Sequence, residues 1–336
     1  MKSSDLHTID SVAETPALGC TAPLPVTRLA LDNLAVFVYE NEDDMGLASA
    51  ISLAAEQCHL VSARGTASML LMAAPSAFAF YQAYVRLARS CVTLRSAIAA
   101  THFFQFDDYC LPFHHPASFR FLLCKRFLFH FADLYDATRV HLFPADATNI
   151  EDAAARYGDL IMEHGPDLQL KGIGENGHWG FHEPGLPLTG EPCFGCVTLT
   201  EENVAQQMRD HPCIFAGRAA VPRFAYTANV PLFMRTRTLI EDNVPQASKA
   251  FALLAAYGTD TVDPCVPSSM LKRHPRAVLR TTKAAAWALL EFRETGVVSE
   301  EMLLQLADSV PDRETNRQHT AEHMRSVLER MQITCL

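Results

Sequence analysis

The sequence predicts an α/β fold: a single Rossmann-like domain with a mostly parallel sheet and helices on both faces. Two observations carry this expectation. Short β-type runs alternate with longer helical patterns, the signature of βαβ units. Of the 336 residues, 49% are hydrophobic and only 20% charged, enough for one sizeable core and too apolar for a disordered chain.

The elements follow in order. Residues 1–26 read as a flexible extension, polar and acidic at Asp5, Asp10 and Glu14. The main α/β domain is expected over 27–298 and a charged helical segment over 299–336. Inside the domain, 68–74 (SMLLMAA) is a buried-strand run, followed by a helical pattern over 76–90. Residues 97–105 read as the next strand, 116–131 as helical, 140–143 as a short strand and 150–163 as helical. A strand over 167–173 leads into a glycine-rich loop. Further strands are expected at 223–229 and 238–241, and helices at 245–257 and 282–293. No repeat or linker divides the chain.

Charge and composition exclude several functions. The net charge is −10 and the cations are scattered, so no nucleic-acid partner is expected. The longest apolar stretch, 69–84, is interrupted by Pro75 and is too short to span a bilayer. The N-terminus has no apolar signal-peptide core, so a cytoplasmic protein with no membrane partner is expected. The ten cysteines are dispersed and read as reduced, buried thiols. Cys193 and Cys196 form one CxxC, a weak metal or redox signal without a second pair or a Cys/His partner at zinc spacing. No metal and no cofactor are expected.

In an open parallel sheet, ligands bind beyond the carboxyl ends of the strands. Three loops lie there: 73–76, 105–116 and 172–185. The last reads GIGENGHWGFHEPG. Its His178 follows Gly177, which lets the backbone turn sharply and present the ring. A neutral imidazole can accept and donate a proton, and Glu183 is near enough in sequence to orient it. In the second loop, Asp107 and Asp108 are adjacent on a strand end and must point to opposite sides. One can face the site while the other anchors the loop, and Asp108 is expected among the substrate-binding residues. An ordinary aspartate, with a pKa of about 3.9, is a weak base at neutral pH. Lys249, with Ser248 beside it, opens a helix after a strand, an arrangement suited to phosphate. Ser76 can serve the same purpose at its own helix start.

These loops together resemble one family. GIGENGHWGFHEPG is similar to the GxGxDGHxAFNEP signature of glucosamine-6-phosphate deaminases. Phe106-Asp107-Asp108-Tyr109, with Leu111-Pro112 and His115-Pro116-Ala117-Ser118-Phe119, resembles that family's DEY…GLP…HP segment. Residues 225–231, Ser248-Lys249-Ala250 and Pro267-Ser268-Ser269-Met270-Leu271 with His274-Pro275 match in order and spacing. The likeness covers about residues 32–290. It implies the conversion of glucosamine 6-phosphate to fructose 6-phosphate and ammonia, without metal or nucleotide, by a homo-oligomer. By resemblance, Asp107 moves the C2 proton to C1, His178 assists ring opening, Glu183 tunes the histidine, and Lys249 holds the phosphate.

The chain departs from the family pattern at four places. The aspartate of DGH is Asn176, which hydrogen-bonds but carries no charge, so a less basic histidine is expected. Gly177 keeps its place. The Gly-Gly-Thr-Pro phosphate turn is Ala73-Ala74-Pro75-Ser76, and Pro75 has no N–H to donate. Gly195-Cys196-Val197 stands where the family has a phosphate-binding arginine. His182 replaces the asparagine of NEP. Two other functions compete: a 6-phosphogluconolactonase-type hydrolase, and a sugar-phosphate-binding homologue with altered substrate or impaired catalysis. The Asp107-Asp108-Tyr109 loop and the His-Glu-Pro run favour the deaminase.

Overall fold

The computed structural model describes residues 14–15, 18–31, 33–310 and 316–336. Much of the expected 1–26 extension thus lies outside the described residues. Within it, Glu14–Thr15 pair with Cys20–Thr21, and Leu18 is buried.

The chain enters the main sheet through an antiparallel pair, β1 (Thr27–Leu31) and β2 (Leu34–Tyr39). The long helix α1 (Glu42–Arg64) follows, capped by Asn41 and ended by Gly65 in the left-handed region at φ 80°. Next come β3 (Ala67–Leu71), α2 (Phe78–Ser90), α3 (Val92–Ala99) and β4 (Thr101–Gln105). At Phe106 the chain leaves the main sheet for β5 (Asp107–Tyr109) and α4 (Phe119–Arg126). The short β6 (Val140–His141), α5 (Ile150–His164) and β7 (Leu168–Lys171) return it to the sheet. Then β8 (Phe194–Thr198), α6 (Glu201–Asp210) and β9 (Phe224–Ala228) build over the site. A one-turn α7 (Val230–Phe233) leads to β10 (Leu239–Val244), α8 (Ala250–Tyr257), β11 (Ala277–Thr282) and α9 (Lys283–Thr295). The chain ends in α10 (Glu300–Ser309) and α11 (Arg317–Arg330).

The main sheet has the order β1-β2-β11-β10-β7-β3-β4-β6 and is parallel except for β1. A second, antiparallel sheet has the order β8-β9-β5. Strand order reverses between β3 and β7: β3 runs on to β4 at one side, whereas the chain from β7 builds toward β10 at the other. A crevice opens at such a switch point.

The sheet centre carries two buried ion pairs. In register, Lys171 of β7 stands beside Asp242 of β10, with Nζ 2.7 Å from Oδ2. Tyr257 donates to the same oxygen at 2.6 Å. One residue earlier and on the opposite face, Glu241 accepts two bonds from Arg280 of β11, at 2.8 and 3.1 Å. Tyr39 of β2 accepts a third from that guanidinium, at 2.7 Å. Full burial of these charges requires this mutual satisfaction.

The structure adjusts several expected elements. The 97–105 strand begins only at Thr101, because the alanine-rich 97–99 completes α3 and the Thr101 hydroxyl donates to the Ala97 carbonyl. The 282–293 helix is preceded by a strand, β11, which Arg280 disguises as polar. The 299–331 run is two helices. All ten cysteines are free, but Cys110, Cys193, Cys196 and Cys213 are exposed rather than buried. No helix among the described residues is long and apolar enough to cross a membrane.

Candidate functional site

Four strand ends of the main sheet converge on one cleft. The loop after β3 delivers Ser76, the swing after β4 delivers Asp107, the glycine loop after β7 delivers His178, and the turn after β10 delivers Lys249. The cleft encloses about 550 Å³ of empty space, its open mouth included. Sequence separations of up to 173 residues close to one wall, because the parallel topology brings these carboxyl ends side by side.

The histidine loop is a tight turn. Gly177 N–H donates to Gly174 O at 3.0 Å, and Gly174 N–H donates to His178 O at 3.1 Å. Gly177 sits at φ 86°, where a side chain would be strained. The His178 ring lies against Gly174 so closely that a Cβ there would stand 2.1 Å from the ring. Ser268 fastens the turn from behind: its N–H donates to Gly177 O, and its hydroxyl donates to His178 O at 3.1 Å.

Asn176 connects this histidine to Glu183. The backbone N–H of His178 donates to Asn176 Oδ1 at 3.2 Å, and that contact fixes which end of the amide faces the histidine. The same oxygen lies 2.8 Å from His178 Nδ1. An amide oxygen only accepts, so Nδ1 carries the proton and Nε2 keeps its lone pair. At its other end, Asn176 Nδ2 donates to Glu183 Oε2 at 3.1 Å and to Thr200 Oγ1 at 2.9 Å. Thr200 Oγ1, at 3.1 Å, and Asn203 Nδ2 also donate to Glu183.

Burial divides the titrations of the site. His178 is pushed down to about 3, first by burial and then by the charges of Lys249 and Lys171. It is therefore neutral at all ordinary pH values. Glu183 moves the other way, to about 7, because burial outweighs its three side-chain donors. Asp107 is held well above the ordinary aspartate range by burial and then by the neighbouring Asp108. Its Oδ1 has no hydrogen-bond partner among the described residues. The expectation of a weak aspartate base is thereby corrected: desolvation makes this carboxylate more basic than one in water.

The two adjacent aspartates divide as strand geometry requires. Asp107 lines the cleft. Asp108 turns to the start of α4, accepting from the N–H groups of Phe119 and Arg120 at 2.8 and 3.1 Å and from Arg120 Nε at 3.1 Å. The expectation that Asp108 contacts substrate is corrected accordingly, since protein donors enclose it at a helix N-terminus. Asn176, Gly177, Glu183 and Ser248 also lie off the cleft wall. Ser76 is on the wall, its hydroxyl donating to Gln246 Oε1 at 2.9 Å. Among the described residues, Lys249 is the only Lys or Arg lining the cleft. His182 is structural: buried, pushed down to about 4, it lies with Nδ1 3.3 Å from the Val230 N–H.

Sequence reasoning missed α6. Its Gln206, Gln207, Asp210 and the following His211 line the cleft, and its Asn203 and Thr200 cap hold Glu183. Arg209 pairs with Glu175, and Gln206 accepts from the Glu175 N–H at 2.8 Å. The only signal was the Thr200 cap ahead of two glutamates, which marks a helix start but not what the helix covers.

The sequence profile of the family described as glucosamine-6-phosphate isomerases/6-phosphogluconolactonase matches residues 40–181. A glucosamine-6-phosphate deaminase from Rhodopirellula baltica is 37% identical over 193 residues, covering 56% of this chain and 72% of that protein. The chain belongs to this family. The deaminase of Lysinibacillus sphaericus is 30% identical over 199 residues, 59% of this chain and 83% of its own. The family fold is also that of a solved monomeric glucosamine-6-phosphate deaminase, with TM-score 0.64, 24% identity and coverage of 75% and 99%. A 6-phosphogluconolactonase from Trypanosoma brucei superposes with TM-score 0.56 at 17% identity, covering 75% and 97%. The profile match contains Ser76, Asp107 and His178, whereas Glu183 and Lys249 lie beyond it.

Two predictions follow from the relay. Because Glu183 binds its proton more tightly folded than unfolded, its contribution to stability is full below pH 4.5 and is lost as pH rises to about 7. Urea unfolding from pH 4.5 to 8 should show this fall as a difference between wild type and Glu183→Gln, since the histidine terms are common to both. In Asn176→Asp, a second carboxylate would face Glu183 and the Nδ1 proton of His178. His178 should become more basic, and any activity that needs it neutral should lose its acid limb at higher pH. An unchanged kcat/KM profile would refute the relay.

Proposed function

We propose that the protein isomerises and deaminates an amino-sugar phosphate, converting glucosamine 6-phosphate to fructose 6-phosphate and ammonia. The observation that supports this best is the meeting of a desolvated carboxylate, a neutral histidine and a lysine on one cleft wall. Lys249 would hold the phosphate as a fixed ammonium. With its lone pair on Nε2, His178 would take the proton from the anomeric hydroxyl and return it to the ring oxygen, opening the sugar. Asp107 would then remove the proton at C2, made acidic by the C1 carbonyl, and deliver it to C1. Water adds at C2 and ammonia leaves, so the step consumes one water per ammonia released. Glu183 would act through Asn176 rather than on substrate: it orients the amide that orients the histidine.

A second reading, an altered substrate, draws on the phosphate end of the cleft. Asp210 shares the wall with the single ammonium of Lys249, and Gln246 already occupies the Ser76 hydroxyl.

Purified protein should release ammonium from glucosamine 6-phosphate, and Asp107→Asn should lower kcat by at least about 100-fold while still binding substrate. Release that survives in Asp107→Asn would remove that residue from the chemistry. Lys249→Ala should raise KM for the phosphorylated sugar about 10-fold or more, the worth of one charge-assisted contact, and leave unphosphorylated glucosamine unaffected. Equal effects on both sugars would favour the altered substrate.

A further inference from the structure

Away from the cleft, three histidines converge at the outer edge of the main sheet. His102 lies on β4, His141 on β6, and His164 is the last residue of α5. Phe104 pairs with His141, so His102, Phe104 and His141 project from one face of the sheet. The end of α5 sets His164 on the same face, edge-on to Phe104. Ring centroids are 5.3 Å apart for His102 and His141, 4.6 Å for His102 and His164, and 5.1 Å for His141 and His164. One nitrogen of each ring lies within 4.8 Å of those of the other two, and all three side chains are half-buried.

We propose that His102, His141 and His164 form a binding site for a divalent transition-metal ion of the zinc class. His102 Nδ1 and His141 Nε2 are 3.0 Å apart. Two imidazole nitrogens on one tetrahedral zinc, each bonded at about 2.0–2.1 Å, stand about 3.3 Å apart. This pair is therefore already close to ligand spacing. His164 Nδ1 donates to the Leu160 carbonyl at 3.0 Å. A carbonyl only accepts, so Nε2 keeps its lone pair, and the bond to Leu160 is the kind that orients a metal-bound imidazole. Imidazole donors without a carboxylate select zinc, cobalt, nickel or copper over magnesium and calcium. Three protein ligands leave the fourth position to water.

Arg139 opposes the ion. Its Nη1 is 3.0 Å from His102 Nε2 and 3.2 Å from the Ala100 carbonyl. As a donor it places the His102 lone pair on Nε2 and the proton on Nδ1, which then donates to His141. Binding exchanges that shared proton for the ion. The His102 N–H passes through water to Nε2, the ring stays neutral, and Arg139 retains only Ala100. The site would tie α5 and the two-residue β6 to the sheet edge, and it is independent of the chemistry proposed for the cleft.

The test uses the full chain stripped with chelator, titrated with Zn²⁺ by calorimetry and with Co²⁺ by visible absorption. Wild type should take up one ion per chain and melt at a higher temperature with it. An outer-shell partner alone is worth about 10–100-fold in affinity, so His102→Ala and His164→Gln should each cost about 100-fold or more. Arg139→Ala removes the competing cation and should tighten binding, a result that loss of folding cannot mimic. Absence of binding in wild type would overturn the proposal. So would binding that persists in both histidine variants with thiolate-to-cobalt absorption, which would place the ion on the exposed cysteines.

Discussion

The side-chain amide of Asn176 has one orientation open to it, because the His178 backbone N–H faces its oxygen. The rest of the site depends on that choice. The oxygen end sets the histidine tautomer and leaves Nε2 free toward the cleft. The nitrogen end donates to Glu183 and Thr200, and so ties the turn to the first residues of α6. A carboxylate in this position could accept from the histidine but could not donate to Glu183. The amide thus suits a site in which Glu183 itself carries the ionisable group.

Burial acts on the three titratable groups in different directions, and this gives the cleft its chemical character. The same exclusion of water lowers the basicity of His178 and raises that of Asp107. Neither effect is local to the residue concerned. Asp107 is buried because the chain swings from β4 into the small sheet, and Glu183 because α6 closes over the loop from the other side. The helix is therefore part of the site's electrostatics as much as of its walls.

The loops that carry the chemistry were legible because several short motifs occur in the right order, each at a strand end. The parallel sheet was legible from the alternation of elements. The stretch from 27 to 66 was not. Leu34–Tyr39 is buried at all six positions and shows no alternation, and α1 buries residues on most of its circumference, so neither presents a clear period. Arg280 hid β11, since its partners Glu241 and Tyr39 are remote in sequence. The contribution of α6 was hidden for another reason: a polar face turned to a cleft has the same composition as one turned to solvent. The three histidines lie 39 and 23 residues apart along the chain, and only the edge pairing of β4 with β6 and the end of α5 unites them.

Glu241 and Asp242 are neighbours on β10 that face opposite sides of the sheet, and each finds its cation on a different flanking strand. A slip of one residue would turn each carboxylate to the wrong side, leaving two anions and two cations stranded in apolar surroundings. Unpairing even one such buried charge typically costs about 3–5 kcal/mol. The two pairs thus act as a lock on strand alignment. They also couple assembly across distance, because β10 can be seated only when β7 and β11 are both beside it. The middle of the sheet is in this sense a three-strand unit spanning residues 168–282, and the crevice beside β7 is set by the same alignment.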